Sequence, residues 1–195
     1  MKRRISIIAI VIFCALSFNA IGQFQATMKY TLSNEEKEFK VFNDENRYRY
    51  EFNEDGQAGV VIVLSETGEV LILMPQQKMA MKTISTSIMS MANDPLLAYE
   101  YQVEQGGTEK VIGNEEVNGI NCIKKELYND SNQLLYTIWY SEKYDFPIKM
   151  VSHIDVTGNT NMELKDIQDW TPDDTHFEIP EGYMIMDQKT MIPEH

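Results

Sequence analysis

Cysteine is almost absent. Cys14 and Cys122 are the only two in 195 residues, and Cys14 lies in an apolar N-terminal run. If that run is removed on export, one cysteine remains and no internal disulfide is possible, so stability must come from packing. Cys122, between Asn121 and Ile123 in a strand-like stretch, reads as a buried inert thiol. Histidine is nearly as scarce, with His153, His176 and His195 the full set. His153 near Asp155 and His176 near Asp173 fit strand and turn positions as well as they fit catalysis. There is no G-x-S-x-G elbow, phosphate-binding glycine loop, dinucleotide fingerprint or H-E-x-x-H. No segment matches the calcium-loop pattern. A methionine copper site would need Met-x-Met repeats with histidines alongside, a combination not found. These absences point away from an enzyme, a resident cofactor and a metal. Positive charge is also short. The chain carries 17 Lys and Arg against 30 Asp and Glu, a net charge of −13, which repels phosphate backbones and excludes nucleic acid as a natural partner.

What is present starts at the N-terminus. Lys2, Arg3 and Arg4 precede an apolar run from Ile5 to Phe18, and Ala20 and Gly22 are small residues placed for a cut before Gln23. This is the pattern of a cleaved secretory signal over 1–22. The apolar run is too short for a spanning helix, which needs roughly 20 residues. Cys14 follows Phe13 rather than a small residue, so lipidation there is not expected. The expected product is a single β-rich domain over 23–195, exported to the periplasm or the medium. Loss of the three basic residues makes it still more acidic.

Period-two alternation predicts strands in the first part of that domain. Phe24, Ala26, Met28, Tyr30 and Leu32 alternate with polar residues, as do Tyr48, Tyr50 and Phe52 with Arg47, Arg49 and Glu51. Glu38 to Asn43 reads as a strand between them. Val60 to Leu64 and Val70 to Met74 are apolar on both faces, joined by a hairpin at Glu66-Thr67-Gly68. Strands of that kind need cover on each side. Met79 and Met81 fall on one face of a following strand.

The middle of the chain changes period. Ile84, Ile88 and Met91 have helical spacing, and Asn93-Asp94-Pro95 is a capped helix start leading to a second short helix through Leu97. Strands resume near Glu109 and continue to Ile167, and Thr171 to Asp174 begins a short helical turn before Phe177. The predicted fold is mainly β with short helices (α+β). About ten strands form a strongly curved antiparallel sheet or half-open β-barrel, with the helical insertion over its concave face. Met74, Met79, Met81, Met89 and Met91 cluster around hairpin and helix. They read either as the adaptable wall of an apolar cavity or as ordinary core.

Three stretches carry a resemblance: Gly113-x-Glu115-x-Val117-x-Gly119-x-x-Cys122-x-Lys124, then Tyr136-x-x-Trp139 followed by Phe146-Pro147-Ile148-Lys149, then Phe177-x-Ile179-Pro180-x-Gly182-Tyr183. In this order, behind a signal peptide, they resemble an uncharacterised family of exported bacterial domains, itself similar in layout to the LolA/LolB-type lipoprotein carriers. The resemblance implies a half-open barrel whose helices cover an apolar cavity for acyl chains. The wall expected here comprises Tyr48, Tyr50, Val61, Val63, Leu71 and Leu73 from the strands, Met79 and Met81 beyond them, and Ile88, Met91 and Leu97 from the helices. No residue matches the carriers' functional arginine. The expected function is an exported, non-catalytic binder or carrier of an apolar ligand such as a lipid or acyl chain. The alternative is an envelope interaction or structural protein whose core fills itself and whose partner is another protein. A carboxylate hydrolase is the remaining class.

Overall fold

The computed structural model describes residues 22–32, 35–54, 56–154 and 160–188. The signal-peptide reading covers 1–22, all of which but Gly22 lies outside the described residues, as do Asp155 and His195. The strands run β1 (Phe24–Leu32), β2 (Glu35–Asp44), β3 (Arg47–Glu54), β4 (Gln57–Leu64), β5 (Glu69–Met74) and β6 (Met79–Ile84). Two helices follow, α1 (Ile88–Asn93) and α2 (Pro95–Glu104). The chain then returns through β7 (Thr108–Val117), β8 (Ile120–Tyr128), β9 (Leu134–Ser141), β10 (Phe146–Ser152), β11 (Asn161–Asp169) and β12 (Met184–Asp187).

All twelve strands belong to one sheet, ordered β12-β6-β5-β4-β3-β2-β1-β11-β10-β9-β8-β7. It is two antiparallel meanders laid side by side. Their seam is β1 against β11, where Phe24 faces Asp169 and Thr31 faces Asn161. The sheet curls tightly. β3 and β10 are four strand spacings apart, about 19 Å if the sheet were flat, yet the rings of Tyr48 and Phe146 approach to 5.7 Å. Phe24 closes the same seam against Tyr144 and Phe146.

Alternation splits the sheet into two cores. Tyr48, Tyr50, Val61, Val63 and Val70 face inward with Leu97 and Tyr99 of α2. Val60, Ile62, Leu71, Leu73 and Ala80 face outward and are covered by Phe177, with Trp170, Ile179 and Tyr183 around it. The doubly apolar β4 and β5 therefore receive the two-sided cover their composition demands. The outward residues of β3 hold that cover in place. Arg47 stacks over the Phe177 ring at 4.3 Å and pairs with Asp174 at 2.6 Å, while Arg49 donates to the carbonyl of His176 at 2.6 Å.

Three details differ from the sequence reading. The described residues form twelve strands rather than about ten. β12 pairs with β6 in parallel, Met184 opposite Met79, an arrangement that four residues of Met-Ile-Met-Asp do not announce. Ile84 ends β6 instead of opening a helix, because Ser87 caps α1 by accepting from the Ser90 N–H. The expected cap at Asp94 does start α2, with Pro95 in the first turn.

Candidate functional site

Between the inner sheet face and the helix pair lies a cavity of about 360 Å³. One cross-strand row forms its floor: Val41, Tyr50, Val61, Ile72 and Met81 sit directly opposite one another on β2 through β6. Phe39 and Phe52 extend the floor toward the start of β2, and Met28 and Met162 extend it across the seam. Met89 of α1 and Leu96 of α2 form the roof. The aromatic rings brace each other edge to face, Phe39 against Tyr50 at 6.1 Å and against Phe52 at 5.9 Å.

One carboxyl and one amine side chain reach this apolar space, Asp94 and Lys37, beside the hydroxyls of Tyr30, Tyr48 and Tyr50. Asp94 is 4% exposed. One carboxylate oxygen accepts from the N–H groups of Leu96 and Leu97 at 2.9 and 3.3 Å. The other accepts from the Tyr48 hydroxyl at 2.7 Å and the Tyr50 hydroxyl at 3.4 Å. The cap of α2 is thus also the bond that ties the helix pair to β3. Burial pushes the Asp94 carboxyl above its ordinary range, against the pull of its four donors. Burial, then the Asp94 charge, holds both tyrosines well above theirs, so both remain donors. Lys37 lies on the inward row of β2, opposite Tyr30.

The expected wall residues separate into groups. Tyr48, Tyr50, Val61 and Met81 line the cavity. Val63 and Leu97 are buried in the inner core beside it, and Met91 packs against that core. Met79 shares the inward row with Met74 and Met184, toward the β12 edge. Ile88 is 84% exposed on α1. Leu71 and Leu73 point the other way, under Phe177. The β4–β5 register explains that reversal. Val61 pairs with Ile72 and Val63 with Val70, so Ile72 and Val70 share the inner face. Ile72, Phe39, Phe52 and Met89 are among the lining residues that the sequence reading did not name. The length of the Glu66–Gly68 hairpin holds the signal for Ile72, since it sets which β5 residue opposes Val61.

Other reactive candidates are held in structural roles. Cys122 is buried, which raises its thiol pKa. The His153 Nε2 lies 2.9 Å from the Thr137 hydroxyl, and the His176 ring packs on Trp170. Among the described residues, no three His, Cys, Asp or Glu side chains gather in a metal-holding group. No described helix is long and apolar enough to cross a membrane.

Comparison with protein-family models gives no match, and comparison with curated proteins gives none. Solved structures do resemble this chain. An uncharacterised conserved protein from Thermus thermophilus matches at a TM-score of 0.58 and 10% identity, over 87% of this chain and 92% of that one. MucB, in the MucA/MucB complex of Pseudomonas aeruginosa, matches at 0.52 and 12% identity, over 84% of this chain. This chain spans only 58% of that protein. These two likenesses are of fold. A LolA superfamily protein from Nitrosomonas europaea is also similar, at a TM-score of 0.41 and 11% identity over 82% of this chain and 90% of that one. That overlap is too loose to carry a functional argument.

Proposed function

We propose that this protein is an exported, non-catalytic binding or carrier protein for an apolar ligand, with an acyl chain as the simplest occupant. The observation that carries the reading is the cavity itself. At about 360 Å³ it falls within the range of roughly 300–1,000 Å³ typical of small-molecule sites. Aliphatic, aromatic and methionine side chains surround it. Its acid is engaged by four donors. The methionines at its edge, Met81 and Met89, allow it to adapt to chains of different shape. We place the protein outside the cytoplasm on the strength of its N-terminal pattern.

A second reading, an envelope protein that docks another protein, is favoured by one different feature. β7 is an edge strand exposed along nearly its whole length, with Val111 69% exposed. Such an edge can accept a further strand. The fold-similar MucB forms a complex with MucA.

The discriminating experiment is native mass spectrometry of the chain purified from an expression host's envelope, before and after organic extraction. An extractable adduct with acyl-chain masses supports the carrier reading. A bare mass that does not shift on adding fatty acids or phospholipids removes it and leaves the docking protein.

A further inference from the structure

The methionines of this chain divide into two kinds. Met28, Met150 and Met162 are buried in the inner core, each no more than 8% exposed. Met74, Met79, Met81, Met184 and Met186 lie outside both cores. These five stand on the inward face of three adjacent strands, at the β12 end of the sheet. Met74, Met79 and Met184 are directly opposite one another on β5, β6 and β12, and Met81 faces Met186 on the next inward row. Four of them are half-buried, and Met184 is 65% exposed. Core packing explains the first kind and not the second. β12 is also an edge strand, where charged side chains are a usual protection against unwanted strand pairing. Both of its inward positions are methionine instead.

The parallel pairing of β12 with β6 lays two Met-x-Met steps side by side, Met79 and Met81 against Met184 and Met186. Their Cα atoms form a rectangle about 4.8 Å across the strands and about 6.6 Å along them. Methionine is unbranched and turns about three bonds, so four thioethers on one face can converge on a single point above that rectangle. Thioether sulfur is a soft, neutral donor that selects monovalent copper, whereas magnesium, calcium and manganese take oxygen. Zinc takes thiolate, imidazole or carboxylate. The ionisable residues of these two strands, Lys82 and Asp187, face each other on the opposite side of the sheet. Neither strand carries a histidine, which divalent copper would want and the monovalent ion does not need. The net charge of −13 adds a general attraction for a cation.

We infer that the β12 edge carries a site for a soft monovalent metal ion, copper(I) in chemical class, held by the thioether sulfurs of Met79, Met81, Met184 and Met186. The two Met-x-Met steps are distant in sequence, and only the β6–β12 pairing joins them. The site does not depend on the cavity reading. It touches the cavity through Met81, which lines that space as well.

The test titrates the full purified protein with copper(I), without oxygen, against a chromogenic chelator. A parallel titration uses silver(I), a redox-inert ion of similar softness, with the methionine methyl groups followed by NMR. One ion per chain is expected. The methyls of the four named methionines should shift, and those of Met28, Met150 and Met162 should not. Thioethers have no proton to lose, so affinity should be the same at about pH 5 as at about pH 7, whereas a thiol or imidazole site weakens in acid. Met184→Leu with Met186→Leu keeps apolar volume at two edge positions outside the cavity wall. It should lower copper(I) affinity by more than about ten-fold, the least expected from disturbing a metal site. Its response to laurate, a fatty-acid probe of the cavity, should match that of the unmodified protein. Failure of both ions to bind overturns the inference, as does binding that the double variant retains. Binding that acid abolishes also overturns it, and assigns the metal to the buried thiol of Cys122 or to a histidine. The methyl shifts decide the question in the unmodified protein even where the variant fails to fold, and shifts confined to other methionines overturn the site.

Discussion

Asp94 joins three parts of the molecule through one carboxylate: the first turn of α2, and the two inward tyrosines of β3. Its cap function was legible from Asn93-Asp94-Pro95, because capping is local chemistry. Its tyrosine partners, 44 and 46 residues away, were not, because nothing local marks which strand lies beneath a helix. The same carboxylate gives a pH signature. Burial raises its pKa in the folded state above the ordinary value of 3.8. The folded protein therefore keeps its proton where the unfolded chain has lost it, and the group's contribution to stability falls as pH rises through the window above 3.8. Asp94→Asn retains an acceptor for the α2 amides and removes the titration. Urea unfolding of both proteins between pH 4 and 7 should show wild type gaining on the variant as pH falls. Exposed carboxylates common to both cancel in the difference. A constant difference would mean that Asp94 titrates as an exposed acid does. Asp94→Ala takes the acceptor from the buried Tyr48 hydroxyl as well as uncapping the helix. Its cost should be about 2–4 kcal/mol, from roughly 1 for the cap and 1–3 for the unpaired hydroxyl.

Strands with one buried face were easy to read, and strands with none were not. β3 follows its alternation residue by residue, tyrosines in and arginines out. β7 is exposed on both faces, so no hydrophobic period marks its ten residues. Its hairpin with β8 turns at Asn118-Gly119, both at positive φ (53° and 78°), the pairing a two-residue turn requires. The outer cover of β4 and β5 was half legible. Phe177, Ile179 and Tyr183 stand together near the end of the sequence, but nothing local marks their target on the convex face, so Leu71 and Leu73 read as inward from sequence alone and lie outward in the fold. Phe177→Ala tests the cover directly. It removes the ring that seals Val60, Ile62, Leu71 and Leu73 and that supports Arg47. The expected loss is about 3–5 kcal/mol, read as a lower urea midpoint, and exposure of the outer apolar face should increase aggregation on heating. A loss below about 1 kcal/mol would show that the C-terminal segment is not integral to the fold.

The whole molecule depends on pairing the two ends of the chain. β1 and β11 meet across 130 residues or more, as in Phe24 with Asp169, and this seam bends the sheet until β3 and β10 touch. Curvature is a property of the assembled sheet, so the sequence showed apolar faces without showing how much space they would enclose. The helix pair spans the concave side without filling it, and a cavity of about 360 Å³ remains. A void lined by apolar atoms forgoes dispersion contacts, and a ligand that fills it restores them only in the folded state. Binding must then stabilise the fold by mass action, by about 2.7 kcal/mol when free ligand reaches a hundred times its Kd. For a domain of this size each kcal/mol shifts the melting temperature by about 2–4 °C, so saturating laurate should raise it by roughly 5–10 °C. Met81→Glu with Met89→Glu places two charges on the cavity wall, one at a half-buried position and one at an exposed one. The doubly substituted protein should fold but show no laurate shift. A shift of wild-type size in that variant would place the ligand elsewhere on the molecule.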